Sequence, residues 1–226
     1  SLRSAAGIDS FLDKERYNVA IISLRSHDWR VISEWRMKDG QMEIVSTLPL
    51  DKNDFSYLKD GQKIRFEFAY ITIHGTPGEN GLLQGYFDMI GIPYNTCDAL
   101  CSAVTFDKET CNAVVRDFNV VNVAKNYTVY MEEEIDIEKI LGKLSLPVFV
   151  KPSQGGSSIG MSKVKTKEEL LPAIKTALDV HPKVLIEEFI EGREFSCGIF
   201  TVDGKASAFP VTEIIPINEF FDYEAK

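Results

Sequence analysis

The chain has 226 residues, of which 34 are acidic and 25 are basic, and its formal net charge is -9. Apolar residues make up 44% and charged residues 26%, which is typical of a globular protein with one large domain or two small ones. The acidic balance argues against a broad surface for nucleic acid or anionic lipid, and the sequence has no apolar run of about 20 residues that predicts a membrane-spanning helix. We therefore predict a cytoplasmic protein with neither a nucleic acid nor a membrane as partner.

The first half of the sequence predicts an α/β layer. Residues 62–73 alternate and then become continuously apolar, which is typical of a core strand that delivers His74 to its carboxyl end. Open α/β sheets bind ligands at that end of their strands. The other predicted elements are a helix over residues 2–12, a buried strand over 17–22, short strands or a hairpin over 29–45, a helix over 81–90, and two helical runs over 98–119.

The second half predicts a smaller unit of helices and strands. Thr166 and Glu169 have the spacing of a capping box that begins a helix running to about Asp179. Asp203-Gly204 is a typical hairpin turn. The remaining predicted elements are a helix ending at residue 144, a strand over 147–150, a short strand after residue 160, and strands over 184–190 and 195–201.

A lysine followed by a Gly/Ser-rich loop is the first candidate site. Lys151 ends an apolar strand, and residues 153–160 supply glycines and hydroxyls that suit the binding of phosphate by backbone amides. The pattern is not a Walker A loop, because no Gly-Lys-Ser/Thr sequence opens a helix there. The alternative is a surface hairpin in which serine and glycine occur for turn geometry alone.

Isolated charged residues are weaker candidates. Glu187 and Glu194 bracket a turn and could serve a nucleotide, although a half-buried edge strand with solvated acids is the preferred explanation of these residues taken alone. His74 precedes a glycine-dense turn, and the alternative there is a structural histidine. Lys108 opens a helical run and could be an ordinary surface charge. The four cysteines have loose spacing and no neighbouring histidine, so we predict buried, reduced thiols and no metal site; they are Cys97, Cys101, Cys111 and Cys197.

Taken in chain order, these motifs resemble the D-alanine:D-alanine ligase family of ATP-grasp enzymes. The match begins with His74-Gly75 and continues through Asp107-Lys108 and Lys151-Pro152. Together with a match of the Ser-Leu-Arg-Ser sequence at residues 1–4, the resemblance covers nearly the whole chain. The other matching segments are residues 78–81, 84–85, 91–94, 156–160, 185–187, 191–196 and 221–226.

The resemblance implies a ligase that phosphorylates the carboxylate of one D-alanine with ATP and Mg²⁺. The amine of a second D-alanine then displaces phosphate to give the dipeptide used in peptidoglycan. This activity contributes to cell-wall formation and cell shape. The resemblance also implies a homodimer.

The resemblance further implies site residues. Lys108, Lys151 and Lys226 correspond to positions along the nucleotide phosphates, and Ser157 and Ser158 to the loop beside them. The same likeness implies that His74 faces the substrate carboxylate and that Ser157 orders the loop over the reacting centre, so both are assigned as catalytic. The positions implied for the base and ribose are Glu187, Glu188 and Ile190 at the adenine and Glu194 at the ribose hydroxyls.

The implied fold is α/β, a partial ATP-grasp fold. Residues 1–115 would form an open-sheet domain on the substrate side, and residues 116–226 an α+β domain that grips the nucleotide. The family's substrate-binding glutamate would precede Ser1, and its lid tyrosine, oxyanion arginine and magnesium ligands would follow Lys226. We therefore expect the 226 residues alone to be catalytically inactive.

Two alternatives remain open at the level of the sequence. A ligase that joins D-alanine to D-lactate or D-serine would have the same nucleotide-gripping residues. A non-catalytic nucleotide-binding or regulatory fragment is the second alternative. Dipeptide formation from ATP and D-alanine would exclude the fragment, and a preference for D-lactate would exclude the dipeptide ligase.

Overall fold

The computed structural model describes residues 2–215. The chain divides into two compact units, Ser1–Phe106 and Asp107–Lys226. The sequence placed a boundary after residue 115, which lies inside the first helix of the second unit, Lys108–Phe118. The assignment of the units to substrate and nucleotide stays a prediction.

The first unit combines short helices with antiparallel strands. Strands β1, β2 and β3 form one sheet in that order, and β4 pairs with β5 as a hairpin. The hairpin predicted around Asp39-Gly40 is confirmed, since these residues form the turn between β2 and β3. The elements are α1 (Leu2–Phe11), β1 (Ile21–Arg25), β2 (Asp28–Lys38), β3 (Gln41–Pro49), β4 (Ser56–Lys59), β5 (Gln62–Arg65), α2 (Leu82–Ile90) and α3 (Ala99–Phe106).

Aromatic side chains fill the core of the first unit. Phe55 and Phe87 are almost completely buried and meet edge to face, with ring centroids 4.9 Å apart. Trp29 packs edge-on against Tyr86 at 5.2 Å. Such pairs add specific geometry to the burial of apolar area, so they fix α2 against the strands.

The second unit is built on a four-stranded antiparallel sheet in the order β6-β9-β7-β8. Val148 and Val150 of β7 are fully buried in one core with Leu170 and Ile174 of α6. Alternate residues of a strand point to opposite faces, so Lys151 and Glu187 lie on the other face of the sheet. The elements are α4 (Lys108–Phe118), β6 (Asn126–Tyr130), α5 (Ile137–Leu141), β7 (Val148–Pro152), β8 (Ser162–Val164), α6 (Lys167–Leu178) and β9 (Lys183–Glu188).

Four further strands follow β9 in the described chain. β10 (Glu194–Ser196) pairs with β13 (Thr212–Ile214), and β11 (Ile199–Val202) pairs with β12 (Lys205–Ala208). All side chains of β10, β11 and β12 are exposed. The predicted turn at Asp203-Gly204 joins β11 to β12, and both residues have positive φ.

Helix α6 confirms the capping signal read from the sequence. Thr166 and Glu169 form a capping box, in which the Thr166 amide donates to Glu169 Oε2 at 3.1 Å. These contacts satisfy amides that the first helical turn leaves without partners. Within residues 2–215, no helix has the length and apolar character that crossing a bilayer requires.

The predicted core strand over residues 62–73 is wrong. Strand β5 ends at Arg65, and the following residues form only one isolated parallel bridge, from Ala69 to Tyr94. The Ala69 amide donates to Pro93 O at 2.9 Å, and the Ile71 amide to Asn95 Oδ1 at 2.7 Å. The apolar run is buried only at Ala69 and Ile71, whereas Phe68 and Tyr70 are exposed. The amides of the two buried residues are satisfied by a neighbouring segment instead of a strand ladder.

Two other predicted strands have different bounds. The first strand begins at Ile21, four residues after the predicted start at residue 17. The strand predicted over residues 195–201 is divided into β10 and β11. The first difference lies at an element end, where side-chain pattern carries little information, whereas the second is a break at Cys197 and Gly198 inside the predicted strand.

The predicted burial of the thiols is wrong. Cys97, Cys101 and Cys197 are exposed, and Cys111 is partly buried.

Candidate functional site

The candidate site lies in the second unit, at the start of α4. The Lys108 ammonium donates to Gly155 O at 2.8 Å and approaches Ser153 O at 3.5 Å. The Lys108 amide donates to Ser153 O at 2.8 Å. The lysine is therefore attached to the Gly/Ser loop through both its backbone and its side chain.

Lys151 and Glu187 form an ion pair on the face of the sheet opposite the core that contains Val148 and Val150. Lys151 Nζ contacts Glu187 Oε2, and Asn112 of α4 donates to Glu187 Oε1. The sheet register brings Lys151 opposite Leu185 and Phe149 opposite Glu187, so the two charged residues sit on adjacent strands. A lysine, a carboxylate and an amide from different elements thus converge there.

The Gly/Ser loop joins β7 to β8 and has an unusual backbone. Ser157 and Ser158 are consecutive residues with φ of +53° and +57°. A non-glycine residue in this left-handed region carries a conformational cost of roughly 1–2 kcal/mol. Strain of this kind is concentrated at functional sites, which agrees with a loop shaped for a ligand.

Asp107 holds the base of this loop. It caps α4, because its Oδ1 accepts from the Thr110 amide at 3.0 Å. The same oxygen accepts from Lys183 Nζ at 2.8 Å and from Ser153 Oγ at 3.0 Å. Its Oδ2 accepts from Gln154 Nε2 at 3.1 Å. Asp107 is only 6% exposed, and these donors compensate its burial.

The electrostatics of the cluster follow from these contacts. Burial lowers the pKa of the Lys108 ammonium, and the charge of Lys151 lowers it further. Burial raises the pKa of the Asp107 carboxyl, but the hydrogen bond from Lys183, with those from Thr110 and Gln154, outweighs it and leaves the pKa far below its usual value. Burial likewise opposes the charge of Lys183, yet Asp107 raises its pKa overall. Asp107 and Lys183 are therefore a charged pair.

The other predicted site residues of this unit lie in the Gly/Ser loop and at or beyond the end of β9. Ser157 is exposed and Ser158 half-buried in the loop, and both stand next to the Lys108 contact at Gly155. Glu188 ends β9, where its amide donates to Lys125 O at 3.0 Å. Ile190 is 64% exposed, and Glu194 is exposed in β10. Lys226 lies outside the described residues.

His74 belongs to the first unit and is exposed at the start of a tightly built loop. The Gly75 amide donates to Glu79 Oε2 at 2.5 Å, and buried Gln84 donates through Nε2 to Gly78 O at 2.7 Å. A side chain at Gly78 would place Cβ 2.4 Å from Ile73 O. The glycine is therefore required by a close backbone approach.

Sequence reasoning gave no individual role to several residues of the cluster, although Asp107 stood in a matching motif and residues 153–154 in the Gly/Ser loop. Asp107 stands three residues before Thr110 at the start of a helical run, which is a recognisable capping signal. Lys183 is 76 residues from Asp107, and its position at a strand start gave no sign of the ion pair. The other missed residues are Asn112, Ser153 and Gln154.

The arrangement suits a polyanion that also carries a neutral polar group. Lys108 and Lys151 supply positive charge beside a loop rich in backbone amides, and Glu187 supplies an acceptor next to them.

Comparison with known proteins identifies a family that matches both halves of the chain. The family profile described as D-ala D-ala ligase N-terminus matches residues 1–97, and the one described as D-ala D-ala ligase C-terminus matches residues 113–226. The chain belongs to the D-alanine–D-alanine ligase family.

Relatives of known name support this membership. The D-alanine–D-alanine ligase of Phocaeicola vulgatus is 50% identical over 226 residues, which are 100% of this chain and 67% of that protein. That of Bacteroides fragilis is 46% identical with the same coverage. The predicted resemblance to a family of ATP-dependent ligases is confirmed.

Solved structures of the family have the same fold. D-alanyl-alanine synthetase A from Vibrio cholerae is 26% identical with a TM-score of 0.80, covering 99% of this chain and 65% of that one. The D-Ala:D-Ser ligase VanG from Enterococcus faecalis is 29% identical with a TM-score of 0.81, covering 99% and 67%. These matches confirm the predicted mixed α/β, ATP-grasp class. The chain spans about two-thirds of the length of its relatives.

Proposed function

We propose that this protein is an ATP-dependent D-alanine:D-alanine ligase of peptidoglycan synthesis. The observation that carries the proposal is the cluster of Lys108, Lys151 and Glu187 beside the Gly/Ser loop, in a chain of the ligase family. Phosphoryl transfer spreads negative charge over the transferred group, and cations with loop amides stabilise that charge.

The proposed reaction has two steps. A carboxylate oxygen of one D-alanine attacks the γ-phosphorus of ATP, so that ADP leaves and an acyl phosphate forms. The amine of a second D-alanine attacks the acyl carbon, loses a proton and expels inorganic phosphate. The products are the dipeptide, ADP, phosphate and a proton.

Each site residue has a role in this proposal. Lys108 and Lys151 bind the nucleotide phosphates under the loop of Ser157 and Ser158. His74 faces the substrate carboxylate, and Ser157 orders the loop over the reacting centre. The roles that remain are adenine binding by Glu187, Glu188 and Ile190, ribose binding by Glu194, and phosphate binding by Lys226.

Mg²⁺ belongs to the proposal as the partner of ATP. Bound to the phosphates, it neutralises charge that would oppose the attack. Within residues 2–215, no group of three or more His, Cys, Asp or Glu side chains is arranged to hold a metal ion. We therefore assign none of the described residues to the metal.

The proposal includes a cytoplasmic homodimer whose ligands are ATP and D-alanine. Use of ATP favours the cytoplasm, where this nucleotide is available, and the net charge of -9 disfavours a nucleic-acid partner. The homodimer rests on the family resemblance. Light scattering on the purified protein tests it, and a monomer mass would contradict it.

A D-alanine:D-serine ligase is the second candidate. The observation that favours it is the similarity to VanG, whose TM-score of 0.81 is as high as that of the Vibrio synthetase. Both reactions use the same acyl phosphate, so the nucleotide site does not distinguish them. Discrimination depends on the second substrate.

The decisive experiment measures phosphate release from ATP by the full-length protein, with mass spectrometry of the product. We expect release that depends on D-alanine and yields D-alanyl-D-alanine. Equal concentrations of D-alanine, D-serine and D-lactate in competition then give the preferred second substrate. Release that is independent of D-alanine would contradict the proposal, and dominant D-alanyl-D-serine would favour the second candidate.

A further inference from the structure

The Asp107 carboxylate makes more contacts than the capping of a helix requires. A cap needs an acceptor for one amide of the first turn, and the Thr110 amide already supplies that bond. Donors from two other segments also converge on it, namely Ser153 and Gln154 of the loop and Lys183 of β9. The carboxylate therefore joins α4, the loop and β9 at one point.

Backbone hydrogen bonds close this junction around Lys108. The Lys108 amide donates to Ser153 O, and the Ser153 amide donates to Lys183 O, both at 2.8 Å. Ser153 is completely buried, so its position is fixed by its neighbours. Lys108 cannot move relative to the loop unless contacts of Asp107, Ser153 or Lys183 break.

Charge links the junction to the proposed phosphate-binding lysines. Burial and the nearby ammonium of Lys151 both disfavour a protonated Lys108, whereas the negative charge of Asp107 favours it. Asp107 thus supports Lys108 geometrically, through the backbone, and electrostatically, through its charge. Lys183 in turn keeps that carboxylate ionised in a buried place.

We propose that Asp107 and Lys183 are positioning residues, which hold Lys108 and the start of the Gly/Ser loop in the arrangement that binds the nucleotide phosphates. The assignment rests on the proposed ATP-dependent function. It adds to that function a pair of residues that does not itself contact the nucleotide.

The test uses the full-length enzyme with Lys183→Met, which removes the ammonium but keeps much of the aliphatic stem. We expect the KM for ATP to rise about tenfold, the size of one weakened charge-assisted hydrogen bond. The KM for D-alanine should stay within twofold. Amide hydrogen exchange at residues 153–155 should accelerate even without nucleotide, while exchange in α6 should not change.

Two further variants serve as controls. Lys183→Arg keeps a cation that can reach Asp107, so the KM for ATP should return most of the way to the wild-type value. Lys167→Met removes the exposed ion pair of Lys167 with Glu138 in the same unit, and it should leave both KM values unchanged.

The remaining outcomes count against the assignment. An unchanged KM for ATP in Lys183→Met, or unchanged exchange at residues 153–155, would overturn it. Faster exchange throughout the second unit with equal changes in both KM values would also overturn it, since that pattern indicates a purely structural pair. If the wild-type enzyme does not use ATP, the proposed function itself fails, and that result is read before any variant is made.

Discussion

At the residue scale, the most informative group is Lys151, because it has one ionic partner in the structure and a different proposed partner in the nucleotide complex. Its ammonium is paired with Glu187 in the structure, and the proposed function places it on phosphate. A lysine can contact both a carboxylate and a phosphate, since it has three donors on a flexible stem. Substitution of this residue therefore tests the nucleotide assignment directly.

We predict that Lys151→Ala weakens ATP binding by about 1–3 kcal/mol, the range for a lost charge-assisted hydrogen bond. Isothermal titration calorimetry with ATP measures the change. Lys175→Ala, which removes an exposed lysine on α6, is the control and should not alter the affinity. An unchanged ATP affinity in Lys151→Ala would remove this lysine from the phosphate site.

Asp107 gives a prediction about pH. Its pKa is lower in the folded protein than the value of about 3.9 for an unfolded aspartate, so folding favours the carboxylate. The stabilisation is complete above that unfolded value and is lost as the pH falls toward the folded one. We expect Asp107→Asn to lower the free energy of unfolding by about 3 kcal/mol at pH 7, because it breaks the buried ion pair and leaves Lys183 only its longer contact with Glu109, at 3.4 Å.

Urea denaturation of the wild type and Asp107→Asn between pH 3 and pH 7 measures this difference, which should shrink below about pH 4. The matched control is Asp136→Asn at the N-cap of α5, an exposed aspartate that accepts from the Lys139 amide at 3.0 Å. Asparagine caps a helix as well as aspartate does, so this variant should be nearly neutral. A difference for Asp107→Asn that stays constant with pH would refute the ionic account.

At the element scale, the loop between β7 and β8 depends on Gly160. This residue has φ of +70°, and an added Cβ would lie 2.8 Å from Val180 Cγ2 and 3.1 Å from Pro152 Cγ. Any side chain would combine a strained backbone with a close contact. The glycine therefore lets the loop return into β8 over the end of α6 and β7.

We predict that Gly160→Ala lowers the free energy of unfolding by about 2 kcal/mol, since the left-handed region alone costs an L-residue roughly 1–2 kcal/mol. Gly156→Ala in the same loop is the control, because an added Cβ there meets nothing within 4 Å and the φ is not positive. Urea denaturation compares the two. Equal stability of both variants would show that the loop relaxes at Gly160.

The same elements show what sequence patterns can and cannot predict. The capping box at Thr166 and the turn at Asp203-Gly204 were predicted because short-range chemistry decides them. The stretch before His74 was predicted as a strand because its residues are apolar, yet its amides bond to Pro93 and Asn95. The partner of a backbone amide is a tertiary property, and hydrophobic periodicity does not contain it.

The candidate site shows the same difference between local sequence signals, which can be predicted, and tertiary contacts, which cannot. Lys108, Lys151 and Glu187 were found from motifs in a characteristic order, although no one of those motifs was decisive by itself. Lys183 and Asn112 were missed, because each acts through a partner on a distant segment. The sequence thus indicated the residues that we propose for ligand binding, and it did not indicate the distant residues that contact them.

At the scale of the whole molecule, each unit has its own buried core. Leu170 and Ile174 of α6 are completely buried in the core of the second unit, which also contains Val148 and Val150. Close packing makes such positions sensitive to volume. The free energy of unfolding therefore depends on this helix more than on any exposed strand of the unit.

We predict that Ile174→Ala destabilises the second unit by about 2–5 kcal/mol through the cavity that it leaves. Hydrogen exchange by mass spectrometry, read on β7 and β9, measures the local effect. The control is Leu171→Ala on the same helix, where the side chain is 37% exposed and should cost far less. Similar losses for the two variants would contradict the assignment of α6 to the core.

The ion pair of Lys151 with Glu187 has a consequence for selectivity. In the structure, each of these side chains neutralises the other. An inorganic phosphate that took Lys151 would leave a largely buried carboxylate without a counter-charge, which is costly. Under the proposed function, a nucleotide would present phosphates to the lysine and a base amino group to the glutamate, so that both side chains exchange partners together. We therefore expect the pair to favour binding of the whole nucleotide over binding of inorganic phosphate.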